Sequence, residues 1–469
     1  MMTDSPVRVE HLRPDDRSGR ATRMYAFFVS FVASIGGFLF GYDLVIISGA
    51  QIYLRDQFAL SPAQFGFATS SAVLGCIVGP SLGAVLCDRL GRKSTLLVAS
   101  FLFVAGAIGS ALPNDIGTFN VFRILGGVGV GLASIASPMY IAEIAPARSR
   151  GRLGIMYQLA ITVGALAATV VAYYLAIYLP PDVSWRWMFA SVAVPVVAFV
   201  GLLLFVPQSP RWLAEQGRYW EAEQVLARID PDIDSHVQLE EIRSSLSRES
   251  GSLRELLEPS MRKPLSIGIV LAVLNNWTGW TSVAFYLPTL FQRAGYAEAS
   301  AAIGQNVIVQ AASVLMTAVA IWLVDRWGRR PLWLATSAAM SLSLLMAGLV
   351  FQLQIVGPLV VGVVLLCMAP HSIGLGPLPW LMMSEIYPTR IRARAVAVST
   401  TFLWLAAFSG PYAFPMLDEA SRKAIGSGAG VFWLYSAICV FSFLWALRFL
   451  PETKGRSLEQ IGRLWTREP

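Results

Sequence analysis

One charged motif occurs twice in this chain, each time between two long apolar runs, and it constrains the fold more than any other feature. The first copy, residues 88–93, reads Asp-Arg-Leu-Gly-Arg-Lys, and the second, residues 325–330, reads Asp-Arg-Trp-Gly-Arg-Arg. A repeat of this kind indicates two homologous halves, each a bundle of helices. Two further pairs of motifs follow in the same order and at nearly the same spacing: residues 143–146 with 385–388, and residues 207–209 with 451–453.

The chain is too apolar for an ordinary water-soluble protein. Of its 469 residues, 55% are hydrophobic and only 14% are charged, and the mean hydropathy is +0.59. A helix needs about 20 mostly apolar residues to cross a hydrocarbon core of roughly 30 Å. The sequence therefore predicts an all-α polytopic membrane protein with about twelve transmembrane helices. The predicted spans are residues 25–47, 65–86, 94–111, 121–141, 153–177, 188–206, 265–290, 306–324, 332–351, 355–383, 395–417 and 431–449.

Basic residues crowd one set of the loops between these spans. They cluster before the first span, in both copies of the repeated motif, and after the fourth and tenth spans, whereas the alternate loops hold few. Because positively charged loops stay on the cytoplasmic side, we predict a multi-pass protein of the cell membrane with both termini in the cytoplasm. The net charge of +7 is then a result of topology. A nucleic-acid-binding protein would instead collect its charge on one soluble face, interleaved with aromatic residues.

The repeat divides the chain into five segments. The stretch between the halves places charged residues among spaced leucines and isoleucines, which is typical of short amphipathic helices on the cytoplasmic face. This stretch acts either as a solvated tether or as part of a gate. The predicted segments are a cytoplasmic arm (residues 1–24), a six-helix bundle (25–209), the linker (210–263), a second six-helix bundle (264–450) and a cytoplasmic tail (451–469).

The chain lacks the side-chain patterns of an enzyme or a metal protein. Its three histidines and four cysteines show no metal-ligand spacing, and no CxxC motif occurs. The glycine-rich run at residues 127–131 resembles a phosphate loop, but no strand precedes it, so we expect it to allow close packing of helices. We therefore predict no catalytic activity, no metal and no cofactor.

An acidic residue lies inside the first predicted span. A charge in hydrocarbon is costly, so such a residue usually faces a cavity and pairs with an opposite charge. We predict that Asp43 pairs with Arg123, near the start of the fourth span, and that protonation of the carboxylate releases the arginine. A permanent ion pair that only fixes two helices is the alternative.

Acidic and basic residues recur together at the predicted cytoplasmic ends of spans in both halves. We predict that they meet in a charge latch between the halves, which holds while the cytoplasmic side is closed and breaks when it opens. Charge that only sets the topology is the alternative. Arg329, in the second copy of the motif, belongs to the same predicted gating set. The predicted latch pairs are Asp88 with Arg89 and Arg92, Glu143 with Arg150, and Glu385 with Arg392.

One of the three histidines lies inside a predicted span. His371 precedes a stretch rich in glycine and proline, residues 374–380, that interrupts the tenth span. Broken helices near the middle of the membrane often line substrate sites, and the pKa of histidine lies near physiological pH. Two interpretations stay open at this point: a substrate or proton-linked contact, and a histidine satisfied within the core.

Six motifs together resemble the sugar porter family of the major facilitator superfamily, and the resemblance covers nearly the whole chain. It implies two six-helix bundles around a central cavity and alternating access by rocking. It also implies a monosaccharide or polyol as the usual cargo. We expect this cargo to cross the lipid bilayer together with protons, and the protein to function as a monomer. The motifs are GGFLFGYD (residues 36–43), DRLGRK (88–93), PMYIAE (138–143), WRWMF (185–189), PQSPR (207–211) and PETKG (451–455).

The resemblance also assigns roles to individual residues. In proton-coupled members of the family the acid in the first span is the coupling residue, which nominates Asp43, with Arg123 as its partner. Aromatic faces at the cavity positions suit the apolar face of a sugar ring, and amides suit its hydroxyl groups. The predicted substrate-binding residues are Phe40, Gln158, Asn275, Asn276, Thr281, His371, Gly376, Trp380 and Trp404.

The chain departs from the family pattern at several positions. Asn275 and Asn276 replace a usual pair of glutamines, Ala165 and Leu403 replace glutamines of well-studied symporters, and Gln208 replaces a glutamate in the cytoplasmic latch. We therefore expect weaker hydrogen bonding to a hexose than in glucose or xylose carriers, and a weaker latch in the first half. A facilitator with the same cavity, a transporter-like sensor and a carrier of a non-sugar metabolite are the alternatives.

Overall fold

A computed structural model describes residues 16–145, 150–229, 234–246, 255–256, 258–388 and 391–455. Within these ranges the chain is almost entirely helical and contains no β-strand. The prediction of an all-α membrane protein is therefore confirmed, since eleven helical stretches of the described residues are long and apolar enough to cross a membrane. Parts of the predicted arm, linker and tail lie outside the described residues.

The described residues of the first half form seven helices. The first of them begins well before the predicted span, and the predicted span 188–206 is interrupted by a turn at Ser191 and Val192. The helices are α1 (Asp16–Gln57), α2 (Pro62–Leu90), α3 (Arg92–Ala111), α4 (Ile116–Ile144), α5 (Arg150–Tyr178), α6 (Pro181–Ala190) and α7 (Ala193–Leu204).

Within the described residues, the linker forms three short α-helices: α8 (Pro210–Glu215), α9 (Tyr219–Ile229) and α10 (Ser235–Leu246). They bury a small apolar cluster of their own that includes Trp212, Leu226 and Leu239. Trp212 also donates from Nε1 to the carbonyl oxygen of Asp88 at 2.9 Å, which attaches these helices to the first half. We call the end of the bundle that carries α8–α10 the linker face, and the opposite end, where α1 ends and α2 begins, the far face.

The second half contains further broken helices. The predicted span 265–290 is divided into three helices, and Gly279, at the first break, has a φ of +98°, a conformation that favours glycine. A π-helical turn (His371–Leu375) interrupts the predicted tenth span. The helices are α11 (Pro259–Trp277), α12 (Trp280–Phe285), α13 (Leu287–Arg293), α14 (Ala299–Trp327), α15 (Arg329–Gln352), α16 (Pro358–Pro370), α17 (Pro377–Glu385), α18 (Arg392–Ile425) and α19 (Ala429–Phe449).

The repeated charged motif forms the same tight turn in both halves. Gly91 and Gly328, with φ values of +86° and +91°, link α2 to α3 and α14 to α15. A Cβ atom on Gly91 would lie 2.7 Å from Gln208 Oε1, and one on Gly328 would lie 2.8 Å from Glu452 Oε2. Both the backbone angle and the crowding therefore require glycine at this point of the motif.

Helices α2 and α4 pack with their backbones in direct contact. A Cβ atom on Gly75 would overlap the carbonyl oxygen of Ile124, and one on Gly127 would overlap the carbonyl oxygen of Ala72. Glycine permits this close approach of helices in a membrane. The prediction that residues 127–131 form a helix-packing surface is confirmed.

The two halves meet chiefly where α2 packs on α18 and α5 packs on α14. Toward the far face, the ring of Phe67 contacts those of Phe408 and Tyr412, with centroid distances of 6.3 and 6.5 Å. In the same region Gln51 donates from Nε2 to the carbonyl oxygen of Phe285 at 2.8 Å. These contacts hold the halves together on the far face.

Candidate functional site

A buried ion pair lies in the first half, between α1 and α4. Arg123 Nη1 is 3.0 Å from Asp43 Oδ1, and both side chains are only 1% exposed. Arg123 also donates from Nη2 to the backbone oxygen of Asp43 at 3.1 Å, and its guanidinium lies 5.1 Å from the ring centroid of Phe189. The structure thus places the two residues of the predicted coupling pair in direct contact.

This ion pair is incompletely hydrogen-bonded. Asp43 Oδ2 and Arg123 Nε are buried, and neither has a hydrogen-bond partner among the described residues. An unsatisfied buried polar atom is costly, and a free carboxylate oxygen is an atom that can accept a proton. A proton on Oδ2 would cancel the negative charge that holds Arg123. The contact between α1 and α4 is therefore linked to a group that can change its charge.

Aromatic side chains connect the two halves beside this pair. Phe40, one helical turn before Asp43, contacts Trp404 of α18 with a centroid distance of 5.7 Å. Trp404 is buried, and its Nε1 donor has no partner among the described residues. Trp380 of α17 is 38% exposed. Aromatic faces with an unused donor suit a ligand that offers both an apolar face and hydroxyl groups.

Two of the predicted substrate-binding amides bond to backbone oxygens of the second half. Asn275 donates from Nδ2 to the carbonyl oxygens of Leu375 at 2.8 Å and Gly376 at 3.0 Å. Asn276 donates from Nδ2 to Asn275 Oδ1 at 3.3 Å and to the carbonyl oxygen of Leu403 at 3.2 Å. The break in the helix around Leu375 and Gly376 leaves backbone carbonyl groups that need hydrogen-bond donors, and the Asn275 amide provides these donors. In this conformation the donors of both amides are occupied.

Other predicted residues keep hydrogen-bonding groups unused. His371 begins the π-helical turn, 6.4 Å from Trp280 between ring centroids, and its Nδ1 is buried without a partner among the described residues. Its backbone oxygen accepts a hydrogen bond from the N–H of Gly376 at 2.7 Å. Gln158 on α5 and Thr281 on α12 are half-buried. Within the described ranges, neither of these two side chains forms a hydrogen bond.

Two of the predicted gating charges of the first half, Arg92 and Glu143, form a compact cluster at the linker face. Arg92 donates from Nη2 and Nε to Glu143 Oε1 at 2.7 and 3.1 Å, and the Ser209 hydroxyl donates to Glu143 Oε2. Glu215 Oε2 lies 3.6 Å from Arg92 Nη1. Burial raises the pKa of Glu215, and the attraction of Arg92 opposes this rise. The cluster ties α3, α4 and the linker helix α8 together.

The second half repeats this cluster. Arg329 donates from Nη2 to Glu385 Oε1 at 2.8 Å and from Nε to Oε2 at 3.2 Å. The Thr453 hydroxyl donates to Glu385 Oε2 at 2.6 Å, as Ser209 does to Glu143. The three repeated motifs of the sequence therefore converge on one glutamate in each half.

The structure corrects the predicted partners of these charges. Arg92 binds Glu143 rather than Asp88, and Glu385 binds Arg329 rather than Arg392. The reason is that each arginine begins a helix directly beside the end of the helix that carries the glutamate. Among the ion pairs between described residues at the linker face, none connects the first half to the second.

The remaining latch residues are placed as follows. Asp88 and Arg89 are exposed in the last turn of α2. Arg392 donates from Nε to the carbonyl oxygen of Tyr387 at 3.2 Å. Arg150 begins α5, and its side chain lies outside the described residues. A latch that joins the two halves stays a prediction for another conformation.

Comparison with known proteins identifies the family. Residues 29–465 match the family model described as "Sugar (and other) transporter". The chain belongs to this family. The transporter is 36% identical over 474 residues to the arabinose-proton symporter of Bacillus subtilis (strain 168), covering 99% of this chain and 100% of the relative. It is 34% identical to the D-xylose-proton symporter of Escherichia coli (strain K12) over 478 residues, and to the galactose-proton symporter of that strain over 458 residues, each covering 95% of this chain and 96% of the relative.

Solved structures extend the similarity from sequence to fold. The transporter superposes on the inward open conformation of the xylose transporter XylE from E. coli with a TM-score of 0.83 at 33% identity, covering 94% of this chain and 100% of that one. It superposes on the proton:xylose symporter XylE bound to 6-bromo-6-deoxy-D-glucose with a TM-score of 0.79 at 34% identity, covering 94% and 99%. The predicted major facilitator fold is therefore confirmed.

The two repeated turns of the transporter carry different caps. Glu452 accepts hydrogen bonds from the backbone N–H groups of Arg329 and Arg330, at 3.1 and 3.0 Å. Burial raises the pKa of Glu452, but hydrogen bonds from backbone N–H groups outweigh this effect and lower it overall. Gln208, at the equivalent turn, accepts from the N–H of Lys93 at 3.3 Å with a neutral amide. The residue that caps α3 therefore lacks the negative charge that Glu452 provides at the N-terminus of α15.

Restoring the acid at this turn is expected to stabilise the transporter. In Gln208→Glu the new carboxylate faces the N-terminus of α3, an interaction worth about 0.3–1 kcal/mol. The measurement is thermal unfolding of the purified protein at neutral pH, where Tm should rise. Gln224→Glu, an exposed position on α9, is the matched control and should leave Tm unchanged. A Tm at or below that of the wild type would contradict this account of the cap.

Reasoning from the sequence missed several polar residues near these sites. Asn306 donates from Nδ2 to Ser48 Oγ at 3.2 Å and so joins α14 to α1 across the two halves. Ser209 and Thr453 complete the two glutamate clusters. The available signals were an amide inside an apolar span, which requires a partner, and a hydroxyl residue at the same place in two repeated motifs.

Proposed function

We propose that this protein is a membrane carrier that imports a monosaccharide, or a related polyol, together with protons by alternating access. The observation that carries the proposal is the buried pair of Asp43 and Arg123, with one carboxylate oxygen unbonded. Relatives at 34–36% identity that are named arabinose-, D-xylose- and galactose-proton symporters support the same assignment. The residues of the proposed pathway all belong to one chain, so a monomer suffices.

Asp43 accepts the proton on Oδ2 in this mechanism, and Arg123 is its charge partner. The ionised carboxylate holds α1 against α4. Protonation leaves Arg123 as an uncompensated buried charge, and removing one partner of such a pair costs about 3–5 kcal/mol. That cost favours any conformation in which water or another acceptor reaches Arg123. The proton therefore shifts the balance between the two states of the carrier.

The sugar binds between the halves, next to the proton site. Phe40 of α1 and Trp404 of α18 offer aromatic faces there, so both halves contribute to the site. Because Asn275 and Asn276 already bond to the backbone, the site has few free amides for hydroxyl groups. This favours a pentose over a hexose as cargo. The proposed lining residues are Phe40, Gln158, Thr281, His371, Gly376, Trp380 and Trp404, with Asn275 and Asn276 behind them.

The structure represents the state that opens toward the linker face in this scheme. Contacts such as that of Gln51 with Phe285 join the halves on the far face, and the TM-score is higher against the inward open xylose transporter than against the sugar-bound one. The positive-inside rule makes the linker face cytoplasmic. The clusters around Glu143 and Glu385 keep the helix ends of each half together as a unit while the halves rock.

Counterflow in proteoliposomes tests the cargo without requiring a proton gradient. Vesicles loaded with an unlabelled sugar are diluted into the same labelled sugar, for a panel of L-arabinose, D-xylose, D-galactose, D-glucose and sorbitol. We expect a transient overshoot for at least one pentose. Trp404→Ala should abolish it because the aromatic face is lost, whereas Trp322→Ala, an exposed tryptophan on α14, should preserve it. Absence of an overshoot for the whole panel in the wild type would overturn the assignment of a sugar as cargo.

A further inference from the structure

A cavity of about 270 Å³ opens on the far face, between the ends of α1 and α18. Its volume is near the lower end of the range for small-molecule sites. The lining includes neither Asp43 nor any of the predicted substrate-binding residues, so the cavity is separate from the proposed pathway site. Both halves contribute to its wall. Arg55, Leu60, Pro62 and Phe65 come from the first half. The remaining lining residues come from the second half, from residues 286–293 at and after the end of α12 and from α18.

The cavity carries more positive charge than its carboxylates balance. Asp418 Oδ2 accepts from Arg293 Nη1 at 2.7 Å and from Arg422 Nε at 3.1 Å, so one carboxylate serves two guanidinium groups. The other lining acid, Glu419, pairs with a lysine on the next turn of α18. Arg55 forms no ion pair with any residue that the structure describes. An anion entering the cavity would therefore meet the guanidinium of Arg55, which has no ion-pair partner among the described residues. It would also meet the guanidinium groups of Arg293 and Arg422 from the second half.

Aromatic rings line the cavity below these charges. Tyr286 stacks on Phe414 with ring centroids 4.8 Å apart and an angle of 8° between the planes, and Phe65 meets Tyr286 edge-on at 5.4 Å. The guanidinium of Arg55 lies 5.5 Å from the centroid of Phe65. Aromatic surface favours the apolar face of an organic ring and contributes little to an inorganic anion. The combination fits an organic anion of monosaccharide size.

We propose that this cavity binds a small sugar acid, with its carboxylate on Arg55 and its ring on the aromatic surface. A guanidinium binds a carboxylate through two parallel hydrogen bonds. Because Arg55 belongs to the first half and Arg293 and Arg422 to the second, the site is complete only while the halves meet on the far face. The ligand therefore stabilises this conformation and slows the transport cycle. In the proposed topology the far face lies outside the cell, so the sugar acid reaches the cavity from the extracellular side.

Arg55 also lies in the last turn of α1, where a cation stabilises the end of a helix. That role needs only a positive charge, so Arg55→Lys retains it. Binding of a carboxylate by two parallel bonds needs the planar guanidinium, which lysine lacks. Binding of the sugar acid should fall in both Arg55→Lys and Arg55→Gln, whereas the Tm of the ligand-free protein should fall only in Arg55→Gln.

Isothermal titration of the purified full-length chain in lipid nanodiscs tests the proposal. The probes are sodium D-glucuronate, neutral D-glucose and sodium sulfate at constant ionic strength. We expect D-glucuronate to bind the wild type, and Arg55→Gln to weaken that binding at least about tenfold, the effect of losing a charge-assisted hydrogen bond. Arg228→Gln, an exposed arginine of α9 on the linker face, should bind D-glucuronate as the wild type does.

Three results would overturn the proposal. Sulfate that binds as tightly as D-glucuronate would show that charge alone is recognised. D-glucose that binds as tightly, and that Arg55→Gln weakens to the same extent, would show that the carboxylate is irrelevant to this cavity. Unchanged D-glucuronate binding in Arg55→Gln would place the ligand elsewhere. Transport of the cargo sugar by Arg55→Gln, measured in parallel by counterflow, confirms that the variant is folded and keeps this test independent of the proposed pathway.

Discussion

Asp43→Asn is expected to abolish accumulation of sugar against its gradient while leaving sugar exchange across the membrane intact. Asparagine keeps the size of the side chain but cannot change its charge, so the contact with Arg123 no longer depends on protons. A pH difference of one unit across the membrane corresponds to a free energy of 1.36 kcal/mol per proton. When one proton accompanies one sugar, this free energy supports about a tenfold ratio of sugar inside to sugar outside. In proteoliposomes with an imposed pH gradient, the wild type should approach that ratio, and the variant should stop at about one.

The matched control for this variant is Asp56→Asn. Asp56 lies on the same helix, α1, but is exposed near the far face and forms no ion pair within the described residues. It should accumulate sugar as the wild type does. Accumulation by Asp43→Asn that equals the wild type would remove Asp43 from the coupling mechanism and leave its pair with Arg123 as a purely structural contact.

Gly127→Leu is expected to prevent the transporter from folding. A Cβ atom at this position overlaps the carbonyl oxygen of Ala72, and a backbone atom cannot move aside as a flexible side chain does. Helices α2 and α4 would have to separate along their whole contact, so we expect a cost above the roughly 1–3 kcal/mol of ordinary overpacking. Fluorescence-detected gel filtration of the detergent extract measures the result, and the monodisperse peak should be lost.

Gly201→Leu provides the control for this experiment. Gly201 is also a glycine inside a membrane helix, α7, but a Cβ atom there meets nothing within 4 Å. The control should elute as the wild type does. A monodisperse and thermally stable Gly127→Leu variant would mean that the close packing of α2 on α4 is not required for the fold.

Much of the fold could be predicted because its determinants are local or repeated in the sequence. Apolar runs of membrane-spanning length fix the helices, and the motif around Gly91 and Gly328 marks the same turn in each half. The contact between Asp43 and Arg123 was also predictable, since a charge buried in an apolar span needs an opposite charge. The glycine-rich run 127–131 indicated close helix packing by its small residues alone.

The remaining features depend on which distant residues the fold brings together. Sequence order favoured a pairing of Arg92 with nearby Asp88, but the end of α4 brings Glu143 to it instead. Asn275 looked like a free amide, and only the broken helix at Leu375 and Gly376 provides the carbonyl groups that occupy it. The far-face cavity likewise exists only because the ends of α1, α13 and α18 converge.

The most direct measurement is the movement of protons when sugar is added. Proteoliposomes in a weakly buffered medium, without an imposed gradient, receive the sugar that gave the counterflow overshoot, and the external pH is recorded. We predict that the medium becomes alkaline as sugar enters, and that Asp43→Asn abolishes this change while still exchanging sugar. Sugar entry into wild-type vesicles with no change in external pH would contradict proton coupling and leave a passive facilitator.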